Sequence, residues 1–224
     1  MNTPVRQAGC THEKSFDPAL RGDKTFLELD DGRTVRLSAG RWSRSACRGD
    51  RWLLDRCWGT TVDLGCGPGR LVAALVERGL PVLGVDVSAL AVRHTRDRGA
   101  PVVQADLFTA LPREGEWATA LLADGNLGIG GDPLRLLRRA RALVRAGGQV
   151  LVEPTASWSG HWQGQARLGD HDGSPGGWFP WSVLGLDALG SLAAPAGLRL
   201  VETHRGRRRQ FARFVRTAEE PRPS

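Results

Sequence analysis

Residues 62–71 read Val62-Asp63-Leu64-Gly65-Cys66-Gly67-Pro68-Gly69-Arg70-Leu71. An apolar strand ends at an acidic residue, a glycine-rich turn follows at once, and Leu71, Val72, Leu75 and Val76 open an amphipathic helix. Strand, glycine turn and helix in that order build a nucleotide-type pocket, because glycines let the backbone approach a ligand and helix-start N–H groups point into the space. A dinucleotide turn, G-x-G-x-x-G, would need glycine where Arg70 stands. A phosphate-binding P-loop would need a Lys-Ser/Thr pair after its last glycine, and there is none. The pattern Asp-x-Gly-x-Gly-x-Gly is a different one.

Outward from this stretch, strands and helices alternate. Thr60 to Leu64 is a strand, Arg70 to Arg78 a helix closed by Gly79, and Pro81 to Val85 a second strand. Ser88 caps a helix that runs to Arg98 and stops at Gly99. Pro101 to Ala105 and Trp117 to Ala123 are the third and fourth strands. Pro133 to Val144 is a helix with an apolar stripe opposite its arginines, and Gln149 to Val152 is the fifth strand. Continuous apolar strands separated by helices imply a parallel sheet covered on both faces.

Three segments lie outside this alternation. Residues 1–20 read as a loosely attached tail. Thr25 to Leu29 and Thr34 to Leu37 flank Asp-Asp-Gly-Arg and predict a β-hairpin that serves as an edge, a lid or a dimer contact. Pro154 to Pro180 reads as a long loop, rich in Gly, Ser, His and Trp, before a helix over Trp181 to Ala194. Gly49 to Trp58 forms a short helix before the core, and Leu198 to Glu202 with Phe211 to Val215 closes the fold as a hairpin. The expected division is residues 1–48 as tail and hairpin extension, 49–217 as one cofactor-binding domain, and 218–224 as a tail.

Composition restricts the partners. The 224 residues carry a formal charge of +7, but Lys14 and Lys24 are the only lysines and tyrosine is missing, which marks an Arg-rich compositional bias. The arginines are scattered among acids except at Arg205 to Arg213, so a nucleic-acid partner is disfavoured against a solvated surface. Cys10, Cys47, Cys57 and Cys66 show no metal-site spacing, and no metal is expected. No apolar run reaches a membrane span and no signal-peptide pattern opens the chain, so a cytoplasmic location without membrane partners is expected. Oligomeric state is not legible.

The ordered motifs resemble the class I S-adenosylmethionine-dependent methyltransferases. The first motif matches at Val62 to Gly69. The second strand, Val82-Leu83-Gly84-Val85-Asp86-Val87-Ser88, places Asp86 where that family holds both ribose hydroxyls, 23 residues after Asp63. Ala105-Asp106-Leu107 matches the acidic residue beside adenine, and Asp124-Gly125-Asn126 the strand end beside the methionine moiety. The resemblance implies a Rossmann-like α/β fold with seven strands, mostly parallel, the last antiparallel. It implies S-adenosylmethionine as cofactor, held by Asp63, Gly65, Cys66, Gly67, Pro68, Gly69, Asp86, Val87, Asp106, Leu107, Asp124, Gly125 and Asn126. Cys66 fills the turn as a small residue, and its sulfur need not matter.

The reaction implied is in-line methyl transfer, which needs positioning more than a fixed catalytic triad. The sequence has no Asn-Pro-Pro-Tyr-type motif after strand four, which speaks against methylation of base amino groups. Gly125, Gly128, Gly130 and Gly131 leave space there, and offer N–H groups to an acceptor oxygen or merely shape a loop. Trp158, Trp162 and Trp178 are candidates for an aromatic acceptor wall, His161 and His171 for a base, and Asp170 or Asp172 for its orienter. The expected acceptor is a small molecule. Alternatives are RNA or protein methylation using the 205–213 turn, and a non-catalytic cofactor-binding module.

Overall fold

The computed structural model describes residues 16–22, 25–169, 176–206 and 208–217. The chain begins with α1 (Asp17–Arg21), the hairpin β1 (Phe26–Leu29) and β2 (Thr34–Arg36), and the short helices α2 (Ala39–Trp42) and α3 (Arg51–Leu54). The alternating core follows: β3 (Thr61–Leu64), α4 (Arg70–Glu77), β4 (Val82–Asp86), α5 (Ala89–Asp97), β5 (Val102–Gln104), β6 (Trp117–Leu122), α6 (Pro133–Leu143) and β7 (Val144–Val152). Then come β8 (His161–Gly169), β9 (Phe179–Leu184), α7 (Leu189–Ala193), β10 (Leu198–Arg205) and β11 (Gln210–Arg216).

Seven strands form one sheet in the order β10-β11-β7-β6-β3-β4-β5. The five from β7 to β5 are parallel, and β11 runs antiparallel to both β7 and β10. Alternation along the strands fills both faces. Leu121, Leu151 and Phe211 pack with Leu53, Leu71, Val72 and Leu75 on one side. Ala120, Leu122, Val150 and Val152 pack with Leu136, Leu137, Ala140, Leu143 and Leu189 on the other. Each fully buried leucine of α6 contributes roughly 2 kcal/mol of apolar burial. Local signals set the helix starts: Ser88 Oγ accepts from Ala91 N (3.1 Å), and Asp132 Oδ1 accepts from Arg135 N (2.9 Å). Val76, counted above on the apolar face of α4, instead faces solvent.

The largest departure from the sequence reading lies in residues 154–194. The expected loop contains β8, and the expected helix begins instead as β9, with helical turns only from Leu186 onward. These strands pair with the N-terminal hairpin in a second, antiparallel sheet of order β2-β1-β8-β9. Phe26 to Leu29 align with Gly169 to Ala166, and Ala166 in turn aligns with Phe179. The hairpin is therefore half of a sheet whose other half arrives more than 130 residues later. Leu27, Leu29, Val35, Trp162, Ala166, Leu168, Phe179, Trp181 and Val183 form its apolar face. The expected N-terminal tail is also corrected: α1 is ordered structure, with Ala19 buried and Phe16 packed against that face. Among the described residues no helix is long and apolar enough to cross a membrane.

Candidate cofactor and acceptor site

A cavity of about 390 Å³ opens at the carboxyl ends of β3, β4 and β6, where an open α/β sheet binds ligands. One half is polar and lined by the glycine turn. Gly65, Cys66, Gly67 and Pro68 face it together with Asp63, Asp86, Val87, Asp106, Leu107, Asp124 and Asn126. Gly69 and Gly125, also expected to touch cofactor, do not line it. Gly69 is required for another reason. It takes a left-handed φ of 78°, and a Cβ there would lie 2.6 Å from Thr95 Cγ2 on α5. Thr95 Oγ1 donates to Gly67 O at 2.8 Å and ties that helix to the turn.

Asp86 ends β4 with both oxygens partly committed. Oδ2 accepts from Gly67 N (2.8 Å) and Oδ1 from Ser88 N (2.9 Å). A carboxylate offers about four acceptor sites, so each oxygen keeps one for an incoming hydroxyl. Burial raises the Asp86 pKa against these backbone bonds, and the charge of nearby Asp17 adds to it. Asp17 itself accepts from Ser88 Oγ (2.5 Å), which lays α1 across the start of α5. Asp106 Oδ1 accepts from Phe108 N (2.9 Å), and the Arg135 guanidinium lies 4.0 Å from the centre of the Phe108 ring. Asp63 is buried at the strand end. Burial pushes it up to about 7, reinforced by Asp124 and Asp86 and opposed by Arg70.

Beneath the polar half runs a closed ring of alternating charge that sequence reasoning missed. Asp50 pairs with Arg70, Arg70 with Asp124 (2.7 Å), Asp124 with Arg41, and Arg41 with Glu153 (3.4 Å). Glu153 holds Arg209 through two bonds of 2.6 Å, and Arg209 returns to Asp50 (2.6 Å). Three arginines thus meet three carboxylates from six separated segments. Asp124 reaches the ring because it adopts φ 56°, a left-handed backbone that Asp tolerates better than most residues. Its carboxylate, expected to meet cofactor directly, is committed to Arg41 and Arg70. Asp50 is held down to about 2, its burial outweighed by bonds from Arg70, the Cys47 N–H and Arg209. Arg70 lines the cavity while its Nε, buried, has no hydrogen-bond partner among the described residues.

The other half of the cavity is apolar. Phe16, Leu20, Leu37, Trp42, Ile129, Phe179 and Trp181 line it. Phe16 sits at its centre, 5.1 Å from Trp181, 5.6 Å from Phe179 and 6.2 Å from Trp42 between ring centroids. The tryptophans proposed from sequence lie elsewhere. Trp162 is buried in the core of the second sheet, Trp158 lies under Arg33, and Trp178 is 46% exposed beneath Arg167. His161 is exposed on β8, outside the cavity lining, and His171, Asp170 and Asp172 lie outside the described residues. The signal available for the observed wall was the Phe179–Trp181 pair, of which Phe179 was read as the end of a loop and Trp181 as the start of a helix.

The glycines after β6 serve packing. Gly125 N donates to Glu153 O, Asn126 N to Ala123 O and Gly128 N to Gly125 O, so these three amides are already used. A Cβ on Gly128 would lie 2.3 Å from Ser182 O and 2.5 Å from the Trp181 ring, and glycine there lets the loop lie flat on β9. The basic turn is also partly consumed. Arg209 belongs to the charge ring, Arg213 pairs with Glu202 (3.2 Å), and Arg207 lies outside the described residues. Cys47, Cys57 and Cys66 are free thiols, and burial pushes Cys57 up to about 12. No group of three or more His, Cys, Asp or Glu is placed to hold a metal among the described residues.

Residues 61–148 match the family model described as a methyltransferase domain. Over residues 61–148 the chain resembles a methyltransferase domain. Its seven-stranded sheet with the antiparallel β11 is the class I methyltransferase fold. The methyltransferase domain and its flanking segments are similar to a SAM-dependent methyltransferase from Bacteroides fragilis solved with S-adenosyl-L-homocysteine. That likeness has 20% identity and a TM-score of 0.71 over 92% of this chain and 94% of the other. They are also similar to the Burkholderia thailandensis 1,6-didemethyltoxoflavin-N1-methyltransferase, at 20% identity and a TM-score of 0.59 over 97% and 94% of the two chains. The CcbJ methyltransferase from Streptomyces caelestis is similar at 18% identity and a TM-score of 0.59, over 79% and 92%. No curated protein sequence matches the chain.

Proposed function

We propose that this methyltransferase transfers the methyl group to a small-molecule acceptor held in the apolar half of the cavity. The single observation that carries this reading is the junction of two unlike halves in one cavity: a glycine turn with buried carboxylates, and an aromatic wall to which Phe179 and Trp181 of the second sheet contribute. The Burkholderia thailandensis methyltransferase, solved with bound 1,6-didemethyltoxoflavin and S-adenosylhomocysteine, supports a small acceptor by analogy of fold.

The residues present fit the cofactor. Asp86 has one acceptor site left on each oxygen for the ribose hydroxyls, and Asp106 lines the cavity for the adenine edge. The orphaned Arg70 Nε offers a donor to the methionine carboxylate, and Asp63 a partner to the methionine amino group. The cofactor supplies an activated methyl on sulfur. The chain contributes orientation and exclusion of water, and among the described residues no histidine lines the cavity.

Calorimetry with S-adenosylhomocysteine tests the pocket. Wild type binds, and Asp86→Ala loses affinity by about 100-fold, as expected for two hydrogen bonds to a charged acceptor at roughly 1.5 kcal/mol each. Unchanged affinity in Asp86→Ala would sink the assignment. Release of S-adenosylhomocysteine over a panel of small acceptors, absent with RNA and protein, tests the acceptor class.

A further inference from the structure

We propose that Arg135 selects the acceptor by charge: the acceptor carries a carboxylate, which pairs with the Arg135 guanidinium while its apolar body lies against the aromatic wall. The inference rests on the small-molecule reading above and narrows it. Among the described residues two cations line the cavity, Arg70 and Arg135. Arg70 is neutralised by Asp50 and Asp124. The Arg135 guanidinium has no ion pair with a described residue and lies over the Phe108 ring, 4.0 Å from its centre. The acids that precede these two residues bind backbone instead. Asp132 Oδ1 accepts from Arg135 N (2.9 Å) and Asp106 Oδ1 from Phe108 N (2.9 Å). An aromatic ring accepts no ordinary hydrogen bond, so the guanidinium over it keeps its donors for a planar, bidentate oxyanion.

The pair stands beside the second sheet. A Cβ on Gly130 would lie 2.7 Å from Phe108 Cε2, and one on Gly131 would lie 2.8 Å from Pro180 Cβ and 3.2 Å from Trp181 N. Consecutive Cα atoms are about 3.8 Å apart, so a single dipeptide separates the ring beneath the guanidinium from the Pro180–Trp181 side of the wall. Arg135 is exposed to solvent as well as lining the cavity, which sets it at the opening. The negative group of the cofactor is its methionine carboxylate, assigned above to Arg70, whereas ribose and adenine are neutral. The second cation therefore answers to the second ligand. A singly charged carboxylate suits it better than a phosphate dianion, because Asp63, Asp86, Asp106 and Asp124 line the same cavity and repel added negative charge.

Calorimetry at saturating S-adenosylhomocysteine compares 2-naphthoate with 2-naphthamide and indole-3-carboxylate with indole-3-carboxamide, pairs that share shape and differ in charge. Each acid is expected to bind about fivefold more tightly than its amide, the worth of one solvent-facing ion pair. The preference should shrink at high salt, which screens such a pair. Arg135→Met is expected to abolish it, Arg135→Lys to keep part of it, and both to bind S-adenosylhomocysteine as wild type does. No binding of either acid, or an undiminished preference in Arg135→Met, would overturn the proposal. A loss of S-adenosylhomocysteine affinity in Arg135→Met would also overturn it, by assigning the arginine to the cofactor. Equal binding of acids and amides strikes this proposal alone, whereas methyl transfer to RNA or protein only strikes the small-molecule reading beneath it.

Discussion

Arg70, the first residue of the helix after the glycine turn, is paired with Asp50, and the two side chains are 3% and 0% exposed. The pair locks the start of that helix to the segment just before α3 and continues through Arg209 into the terminal hairpin. Removing one partner of a buried pair leaves an uncompensated charge, at a cost of about 3–5 kcal/mol. Asp50→Ala and Arg209→Met are each expected to lower unfolding free energy by about that amount in urea titrations. The double variant should lose at least about 1 kcal/mol less than the sum, since both remove links of one ring. Strict additivity would show that the ring does not act as a unit.

Asp63 gives the stability a pH dependence of definite sign. Its folded pKa is raised from 3.8 to about 7, so the folded protein binds the proton more tightly than the unfolded chain. The contribution is complete below pH 4 and is lost as pH rises through 7, a change of no more than about 4 kcal/mol. Asp63→Asn should flatten this fall between pH 4 and 7 in denaturation of the ligand-free protein. An identical pH profile for wild type and variant would refute it.

At Gly69 two costs separate cleanly. Gly69→Ala must adopt φ 78°, which costs about 1–2 kcal/mol, and must also displace Thr95. The total loss of stability is expected to exceed 2 kcal/mol in wild type. In a Thr95→Gly background, which removes the Thr95 Cβ at 2.9 Å together with Cγ2 and Oγ1, the same substitution should cost only the backbone part. Equal costs in the two backgrounds would mean that α5 does not press on the turn.

The tryptophans divide by environment. Trp181→Ala should destabilise by about 3–5 kcal/mol, because the ring is buried between Phe16, Phe179 and the loop at Gly128. Trp178→Ala, removing an exposed ring, should stay within about 0.5 kcal/mol. Thermal denaturation of the two variants side by side checks the contrast.

The core was legible because its signals are local. Asp63 to Gly69, Ser88 and Pro133 each act on residues within one turn, and the apolar strands between them admit only a covered parallel sheet. The second sheet was not legible, although Trp162, Ala166 and Leu168 do alternate with polar neighbours along β8. Its glycines and glutamines weaken the strand pattern, and its partner lies at residues 26–29. In β9, Pro180 weakens the strand pattern, but β9 is an edge strand, where a missing N–H is tolerated. The charge ring had no sequence signature, since six separated segments each supply one residue. Asp124 and Asn126 were read as cofactor contacts, and the structure commits their charge and their amide hydrogens to the protein itself.

The sheet that joins β1 to β8 also dictates an order of assembly. The parallel core can pair strand by strand as the chain lengthens, but Phe26–Leu29 must wait for Ala166–Gly169 before its backbone finds a second neighbour. A two-stranded hairpin alone is marginal in water, and closing so long a loop is entropically costly. The Phe179–Trp181 side of the aromatic wall therefore depends on a contact between segments far apart in the chain. Changes to β8 and β9 can reshape what the enzyme accepts while the cofactor half folds as before.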